Sequence, residues 1–229
     1  MRPLTDTCPK PLLQVGGKML IEYHLEKLAQ AGFTNVVINH AYLGSMIEAA
    51  LQDGKRYGLH IHYSPETLVL ETAGGIANAL PLLTTPDKNQ PFAAINADIF
   101  CDMDFSILQP VLQSMQSHPT HTVAHLILVD NPPHHPEGDF FLHDDTGKLV
   151  ESAHPDCQKL TFSGIGVYHP TLFENVLPGR AEKLAPLLRQ AIAAGKASGS
   201  YFTGLWLDIG TPERLHQLDT TLNRSGRHT

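Results

Sequence analysis

Cysteine is scarce in this chain, and long apolar segments are missing. The 229 residues include three cysteines, Cys8, Cys101 and Cys157. Their odd number and the lack of CxxC spacing exclude a disulfide framework and a cysteine zinc site. No apolar run approaches the ~18 residues of a membrane span, and the start, MRPLTDTCPKPLLQ, lacks the apolar stretch of a signal peptide. These absences predict a soluble, cytoplasmic globular protein.

Positive charge is also in short supply. Lys and Arg number 16 against 23 Asp and Glu, which gives a net charge of −7. Nucleic acids and anionic membranes are bound through basic faces, so neither partner is expected. No internal repeat is present, which excludes a hexapeptide-repeat domain. No GxGxxG follows a strand-like run, so a dinucleotide-binding dehydrogenase is the weakest of the possible enzyme classes.

Strand-like and helix-like stretches alternate, which predicts an α/β fold with a largely parallel sheet. Helices are predicted over 20–31, 45–51, 72–80, 105–115, 184–194 and from Pro212 onward, and strands over 35–39, 59–63, 92–100, 122–129, 160–168 and 201–208. The DDTG sequence lies between two strand-like runs and predicts a hairpin. One domain is expected over 1–229, with 130–182 as a substrate-facing subregion.

Two aspartates each end an apolar strand-like run. Asp98 follows AAINA, and Asp208 follows LWL. In an open α/β sheet, ligands bind outside the carboxyl ends of the strands, and Mg²⁺ takes one or two carboxylates together with substrate phosphates. A lone aspartate at a strand end is more often a helix N-cap. The presence of two such residues favours a magnesium site.

The opening segment places a lysine, Lys10, between two prolines in PKPLL. Proline fixes the backbone dihedral φ, so this lysine lies on a rigid stretch that suits a cation positioned against phosphate. Most lysines are simply solvated, and that interpretation stays open for Lys10 on composition alone.

A small-residue segment, ETAGGI at 71–76, follows a strand-like run and opens a helix. Backbone N–H groups at such a position can approach a ligand, and a helix N-terminus favours anions. Close packing of the helix on the sheet is an equally good explanation for these glycines.

Several of these segments together resemble one family. The string RPLTxxxPKPLLxVxxKxLIEYHLxxLxxAG is followed by ETAGGI, NADIF and LWLDIGTPERL, an order and spacing similar to those of the sugar-1-phosphate nucleotidyltransferases. VDNPPHHPEGDF and LTFSGIGVYHP, followed by KLAPLLRQA, are most similar to the branch that uses UTP and N-acetylmuramate 1-phosphate in cell-wall recycling. The resemblance implies a Rossmann-like, GT-A-like α/β fold with an open, mixed and mostly parallel sheet.

The resemblance also implies roles for individual residues. Lys10 would contact the phosphates, and Asp98 and Asp208 would bind Mg²⁺. Contacts with the nucleotide are implied for Glu71, Thr72 and Gly74. Contacts with the sugar are implied for Asn96, Gly138, Asp139, Glu151 and Ser163, and contact with the sugar phosphate for Lys183. Glu151 is followed by Ser-Ala where many relatives carry Glu-Lys-Pro, so a second phosphate lysine is not implied.

One departure from the family lies at the start of the chain. The family carries a strand and a loop of the form LAAGxGxR just before the stretch that matches Met1 to Thr5. We therefore expect this sequence to lack that first strand and the loop that cradles the triphosphate. The corresponding expectation is a shortened form of an active enzyme, whose own turnover is doubtful.

The residues leave other functions open. Glucose 1-phosphate or mannose 1-phosphate could be the sugar, with thymidine or guanosine triphosphate as the nucleotide. From another class, a non-catalytic homologue would bind the sugar phosphate or sugar nucleotide without turning it over. The expected assembly is a monomer or a small homo-oligomer.

Overall fold

The chain forms two compact units in the computed structural model, which describes residues 1–83 and 90–225. The first unit comprises 1–65, 96–106 and 204–229, and the second comprises 66–95 and 107–203. The chain passes from one unit to the other at 65/66, 95/96, 106/107 and 203/204. Neither unit is therefore a continuous segment of sequence, and one domain over 1–229 stays a prediction.

The first unit contains three helices and six short strands among the described residues. Its first segment contains β1 (Gln14–Val15), β2 (Lys18–Met19), α1 (Leu20–Gln30), β3 (Asn35–His40), α2 (Gly44–Leu51) and β4 (His60–Pro65). Its second segment contains β6 (Ile99–Cys101). Its third segment contains β12 (Trp206–Asp208) and α6 (Pro212–Ser225). The ladders are β1 with β2 and β12 with β6, both antiparallel, and β3 with β4, parallel.

The second unit contains the larger sheet. Its elements are α3 (Glu71–Leu83), β5 (Phe92–Ile95), α4 (Leu108–Ser117), β7 (Ala124–Val129), β8 (Phe140–His143), β9 (Leu149–Val150), β10 (Cys157–Tyr168), α5 (Leu184–Ala193) and β11 (Ala197–Tyr201). The strand order is β11-β7-β10-β8-β9, and β5 also pairs with β10. Strands β5, β7, β8 and β11 run in one direction, with β10 and β9 opposed to them. The sheet is thus mixed, and most of its strands share one direction.

Helix α1 shows how local sequence sets these elements. Ile21, Leu25 and Leu28 recur at helical spacing and are buried on one face. The helix ends where Gly32 takes a φ of +84°, a conformation that glycine adopts without steric cost. Predicted and observed bounds, 20–31 and 20–30, agree closely. The sequence patterns also predict other elements that the structure contains. These are strands β3, β7 and β10, helices α2 to α6, and the β8–β9 hairpin.

Two predicted strands are wrong as single elements. The run 92–100 breaks at Asn96–Asp98, because β5 pairs with β10 whereas β6 pairs with β12. The run 201–208 ends in β12, and residues Ala197 to Tyr201 form a separate strand that the prediction missed. The hairpin of β1 and β2 was also missed, although its turn, Gly16-Gly17, is a recognised hairpin signal.

Each unit has its own buried apolar cluster. In the first unit, Val15, Leu20, Phe100, Ile209 and Leu218 pack together beneath β6 and β12. In the second, residues from α3 and α5 pack on the larger sheet, around side chains such as Leu126 and Leu188. None of the described helices is both long and apolar enough to cross a membrane.

Candidate functional site

Asp98 lies in the turn that separates β5 from β6 in the chain, which is where its carboxylate meets Lys10. The Lys10 ammonium donates to Asp98 Oδ2 at 2.8 Å, with the two side chains 24% and 41% exposed. Lys10 opens a short 3₁₀ turn that begins after Pro9, and Leu12 of that turn is buried. The rigid backbone predicted for Lys10 is therefore anchored to the core, and the lysine is not merely solvated.

Asp208 reaches the same region of the first unit through β12. Its backbone pairs with Ile99 in the ladder, and Ile209 N donates to the carbonyl oxygen of Asp98 at 2.9 Å. The main chains that carry the two aspartates are thus directly bonded to each other. The Asp208 carboxylate accepts a hydrogen bond from Arg214 Nη1 at 2.7 Å. Sequence reasoning missed Arg214, which stands only six residues further along the chain.

The donor set at Asp98 and Asp208 fits Mg²⁺. Carboxylate oxygens are the ligands that this cation prefers, and it needs only one or two from the protein when substrate phosphates supply the rest. No cluster of three or more His, Cys, Asp or Glu side chains suited to a metal occurs among the described residues. Lys10 bonds to Oδ2 of Asp98, and no described residue is bonded to its Oδ1. These two aspartates are the residues that would hold the ion.

Helix α1 fixes the strand that follows Asp98. His24 Nε2 donates to the carbonyl oxygen of Ile99 at 2.8 Å, and the Lys27 ammonium donates to the carbonyl oxygen of Cys101 at 2.6 Å. Burial lowers the pKa of His24 to about 4, so the ring is neutral at pH 7. A neutral ring carries one N–H, and the bond to Ile99 uses it. Sequence reasoning missed this contact because 75 residues separate the partners.

The predicted nucleotide residues Glu71, Thr72 and Gly74 form the first turn of α3. Glu71 and Thr72 are exposed, and Glu71 has a φ of +58°, which is strained for a residue with a side chain. Gly74 is buried, and its N–H and that of Ala73 both donate to the carbonyl oxygen of Glu182, at 3.1 and 2.9 Å. The Gly74 amide is thus bonded within the protein, as the packing explanation expects, and contact of Glu71, Thr72 and Gly74 with a nucleotide stays a prediction.

Substituting Gly74 with alanine is expected to destabilise the protein by about 3 kcal/mol, because an added Cβ would lie 2.1 Å from the carbonyl oxygen of Arg180. Gly195→Ala is the matched control. Gly195 also cannot accept a side chain without strain, since its φ is +67°, but nothing lies within 4 Å of its Cβ position. That variant should lose only about 1 kcal/mol. Urea unfolding measures both, and equal losses would contradict the packing role.

Two predicted sugar residues, Asp139 and Glu151, share a cavity of about 220 Å³ in the second unit. Its walls also carry two cations that sequence reasoning missed, Lys159 and Arg189. Phe162 N donates to Asp139 Oδ2 at 2.8 Å, which fixes the carboxylate. No described residue forms an ion pair with Arg189 or Lys159, so the cavity wall carries two cations beside the two carboxylates of Asp139 and Glu151.

Gly138 precedes this cavity and has a φ of +59°. A Cβ there would lie 2.6 Å from the side chain of Asn131, which donates to the carbonyl oxygen of Lys159 at 3.1 Å and accepts from the Thr161 hydroxyl at 2.8 Å. Glycine is therefore required for the packing of its own loop. Contact of Gly138 with a sugar stays a prediction.

The remaining predicted site residues differ in whether their side chains are exposed and free to contact a ligand. The Ser163 hydroxyl is buried, donates to the carbonyl oxygen of Ile127 at 2.7 Å and accepts from Ile165 N at 3.2 Å. Those bonds support the bulge of β10 and give it a structural role. Asn96 is exposed in the turn before Asp98. Lys183 is exposed at the N-terminus of α5, and no described residue pairs with it.

Comparison with known proteins identifies the family. The family model described as nucleotidyl transferase matches residues 1–225. The chain is 52% identical over 221 residues to the N-acetylmuramate alpha-1-phosphate uridylyltransferase of Neisseria meningitidis serogroup B, covering 95% of this chain and 90% of that protein. It is 28% identical to mannose-1-phosphate guanyltransferase beta-B of Xenopus laevis over 93% of this chain, which spans 58% of that protein.

A solved structure confirms the fold. A Bacillus anthracis protein assigned as a glucose-1-phosphate thymidylyltransferase, in complex with sucrose, superposes with a TM-score of 0.79 at 19% identity. The match covers 97% of this chain and 89% of that one. The predicted fold class, a mixed α/β sheet of the nucleotide-sugar transferase type, is confirmed.

Proposed function

The chain belongs to the nucleotidyl transferase family, and from that premise we propose that it transfers the uridylyl group of UTP to N-acetylmuramate 1-phosphate. The products are UDP-N-acetylmuramate and pyrophosphate. The relative from Neisseria meningitidis, 52% identical and matched over nearly its whole length, supports this choice of substrates. Recycling of cell-wall sugars in the cytoplasm, where UTP is formed, is the corresponding proposed role.

The reaction joins two anions. A phosphate oxygen of the sugar phosphate attacks the α-phosphorus of UTP in line, a new P–O bond forms, and the bond to the bridging oxygen breaks with its electron pair leaving on pyrophosphate. The nucleophile is already ionised, so no general base is needed. The protein's task is therefore positioning and charge stabilisation.

The pair of Lys10 and Asp98 is the observation that carries this chemistry. The net charge of −7 repels anionic substrates at long range, so the attraction must be local. Lys10 supplies a positive charge at a fixed place and can transfer its hydrogen bond from Asp98 to a phosphate oxygen. Mg²⁺, bound to Asp98 and Asp208, would neutralise charge on the α-phosphate.

The cavity of the second unit supports an acidic sugar. N-acetylmuramate carries a lactyl carboxylate that glucose, mannose and N-acetylglucosamine lack. Lys159 and Arg189 line the cavity beside Asp139 and Glu151, so hydroxyl groups and a carboxylate would each find a partner there. Arginine binds carboxylates with two parallel hydrogen bonds, which makes Arg189 the stronger candidate of the two cations.

The test measures pyrophosphate release with UTP and Mg²⁺ for N-acetylmuramate 1-phosphate and N-acetylglucosamine 1-phosphate side by side. This chain of 229 residues and a chain extended by the family's N-terminal strand and loop are both assayed, so that the result does not depend on where the sequence begins. We expect the acidic sugar to be preferred. In Lys159→Met and Arg189→Met its KM should rise about tenfold, with no change for N-acetylglucosamine 1-phosphate.

Other outcomes select other functions. Preference for mannose 1-phosphate with GTP, or for glucose 1-phosphate with dTTP, would replace the proposed substrates by those in the names of the weaker relatives. Binding of the sugar phosphate without turnover in either form of the chain would support the non-catalytic homologue. Equal KM changes for both amino sugars would remove Lys159 and Arg189 from carboxylate recognition.

A further inference from the structure

Arg214 holds both the side chain and the main chain of Asp208. Its Nη1 donates to Asp208 Oδ2 at 2.7 Å and to the Asp208 carbonyl oxygen at 3.3 Å. The Arg214 side chain is 24% exposed and that of Asp208 33%, so the pair is partly shielded from water. Arg214 thus contacts both the side chain and the main chain of Asp208 and restricts the rotation of this carboxylate.

The residues between Asp208 and Arg214 favour the ion pair between them. Thr211 caps helix α6, since its hydroxyl accepts from Arg214 N at 3.3 Å, and Pro212 takes the first helical position. The first turn of α6 therefore turns the chain back and brings Arg214 to Asp208. A Cβ at Gly210 would lie 3.1 Å from Arg214 Nη1 and 3.3 Å from Asp208 Oδ2. Any other residue at this position would therefore crowd the ion pair.

Helix stability does not explain the arginine. The N-terminus of a helix carries a partial positive charge, and a cation in its first turn is unfavourable. Arg214 occupies that first turn, and its charge is offset by Asp208 instead. The arginine therefore stands where it costs the helix some stability, and its one charged contact in the described structure is the carboxylate that we assign to Mg²⁺.

We infer that Arg214 is a positioning residue for the metal site, acting through Asp208. It holds Oδ2 and the backbone so that the carboxylate is presented to the ion in one orientation. Partners of this kind, which orient a ligating carboxylate, typically change metal affinity about 10-fold to 100-fold when removed. The inference rests on the proposed function, because it takes Asp208 as a metal ligand.

The test uses Mn²⁺ as a probe, because its binding to the free protein is measured directly by electron paramagnetic resonance. Arg214→Gln is expected to bind Mn²⁺ about tenfold more weakly than wild type, and Arg214→Lys, which keeps one donor and the charge, to lie between them. Gly210→Ala reaches the same pair from the other side and should weaken binding in the same direction. Gln217→Ala, an exposed change on the same helix, is the control.

The outcomes separate this inference from the reaction itself. Unchanged Mn²⁺ binding in Arg214→Gln, with only a lower melting temperature, would make the pair a structural anchor and overturn the inference. Tighter binding would also overturn it, by showing that Arg214 competes with the metal. Absence of Mn²⁺ binding in wild type would remove the metal role of Asp208 together with that of Arg214, whereas uridylyl transfer is judged separately by pyrophosphate release.

Discussion

The Asp98→Asn variant is expected to lose about a hundredfold to a thousandfold in its rate of pyrophosphate release. Asparagine keeps the size of the side chain but removes the charge that holds the Lys10 ammonium at 2.8 Å. It also removes one of the two carboxylates assigned to Mg²⁺. The loss should appear in kcat more than in the KM for UTP, since both effects act on charge that develops during transfer. Steady-state kinetics with UTP and N-acetylmuramate 1-phosphate measure it.

Stability should change little in the same variant. The ion pair is partly exposed, so its loss is worth less than about 1 kcal/mol. The bond from Ile209 N to the Asp98 carbonyl does not depend on the side chain and stays in place. Asp53→Asn is the matched control, because Asp53 forms an ion pair with Lys55 at 2.6 Å that is fully on the surface. Asp98→Asn retaining more than half of wild-type turnover would contradict the site.

A double variant tests whether Lys10 and Asp98 act together. If each positions the other for the substrates, Lys10→Met with Asp98→Asn should be no slower than the slower of the two single variants. Multiplying losses would mean that the two residues act independently, and that the 2.8 Å contact has no part in catalysis.

The sequence predicted the regular elements better than the contacts between them. Apolar residues at helical spacing define α1 and α5, and both were found within one residue at each end. The run FAAINADIF resembles one strand because Phe92 to Ile95 and Ile99 to Phe100 are all apolar. Its break at Asn96–Asp98 depends on two different partners, β10 and β12, and pairing partners far apart in the chain leave no local signal.

The same limit applies to the candidate site. The two aspartates could be predicted because each directly follows an apolar, strand-like run. Their roles could be assigned because the family motifs that contain them are intact. The bond between Lys10 and Asp98 spans 88 residues, so it could be anticipated only through the resemblance. The contact of Arg214 could have been predicted locally. Thr-Pro is typical of a capped helix start, and the third residue of that helix lies near the end of the preceding strand. The glycines of α3 could not be interpreted from the sequence. Glycines that let a backbone approach a phosphate and glycines that let a helix pack closely form the same sequence pattern.

Lowering the pH from 7 to 5 is expected to reduce the free energy of unfolding by about 2 kcal/mol for each of two buried histidines, His24 and His125. Burial lowers the pKa of both rings to about 4, whereas an unfolded histidine titrates near its ordinary value of 6.5. Between these values the unfolded chain binds more protons than the folded one. The stability they contribute is therefore present above pH 6.5 and falls steadily toward pH 4.

The surroundings of each ring explain why protonation is resisted. His24 stacks on Phe105, and its Nδ1 is buried with no partner among the described residues, so a proton added there would remain unpaired. His125 lies between the Ser198 and Ser200 hydroxyls, at 2.8 and 3.0 Å. A neutral ring accepts from one hydroxyl and donates to the other, and the charged ring would have to be desolvated without a carboxylate nearby.

Urea unfolding at pH 7, 6 and 5 measures the effect, and three variants assign it. His24→Gln keeps a donor for the Ile99 carbonyl and His125→Gln keeps polar contact with the serines, while each removes a titrating group. Each should flatten the pH dependence by about half, and the exposed His60→Gln should leave it as in wild type. Asp and Glu also titrate toward pH 4, but they are common to all variants and cancel in the comparison. If the slopes of His24→Gln and wild type coincide, His24 takes up a proton in the folded protein as readily as in the unfolded chain, and burial does not lower its pKa.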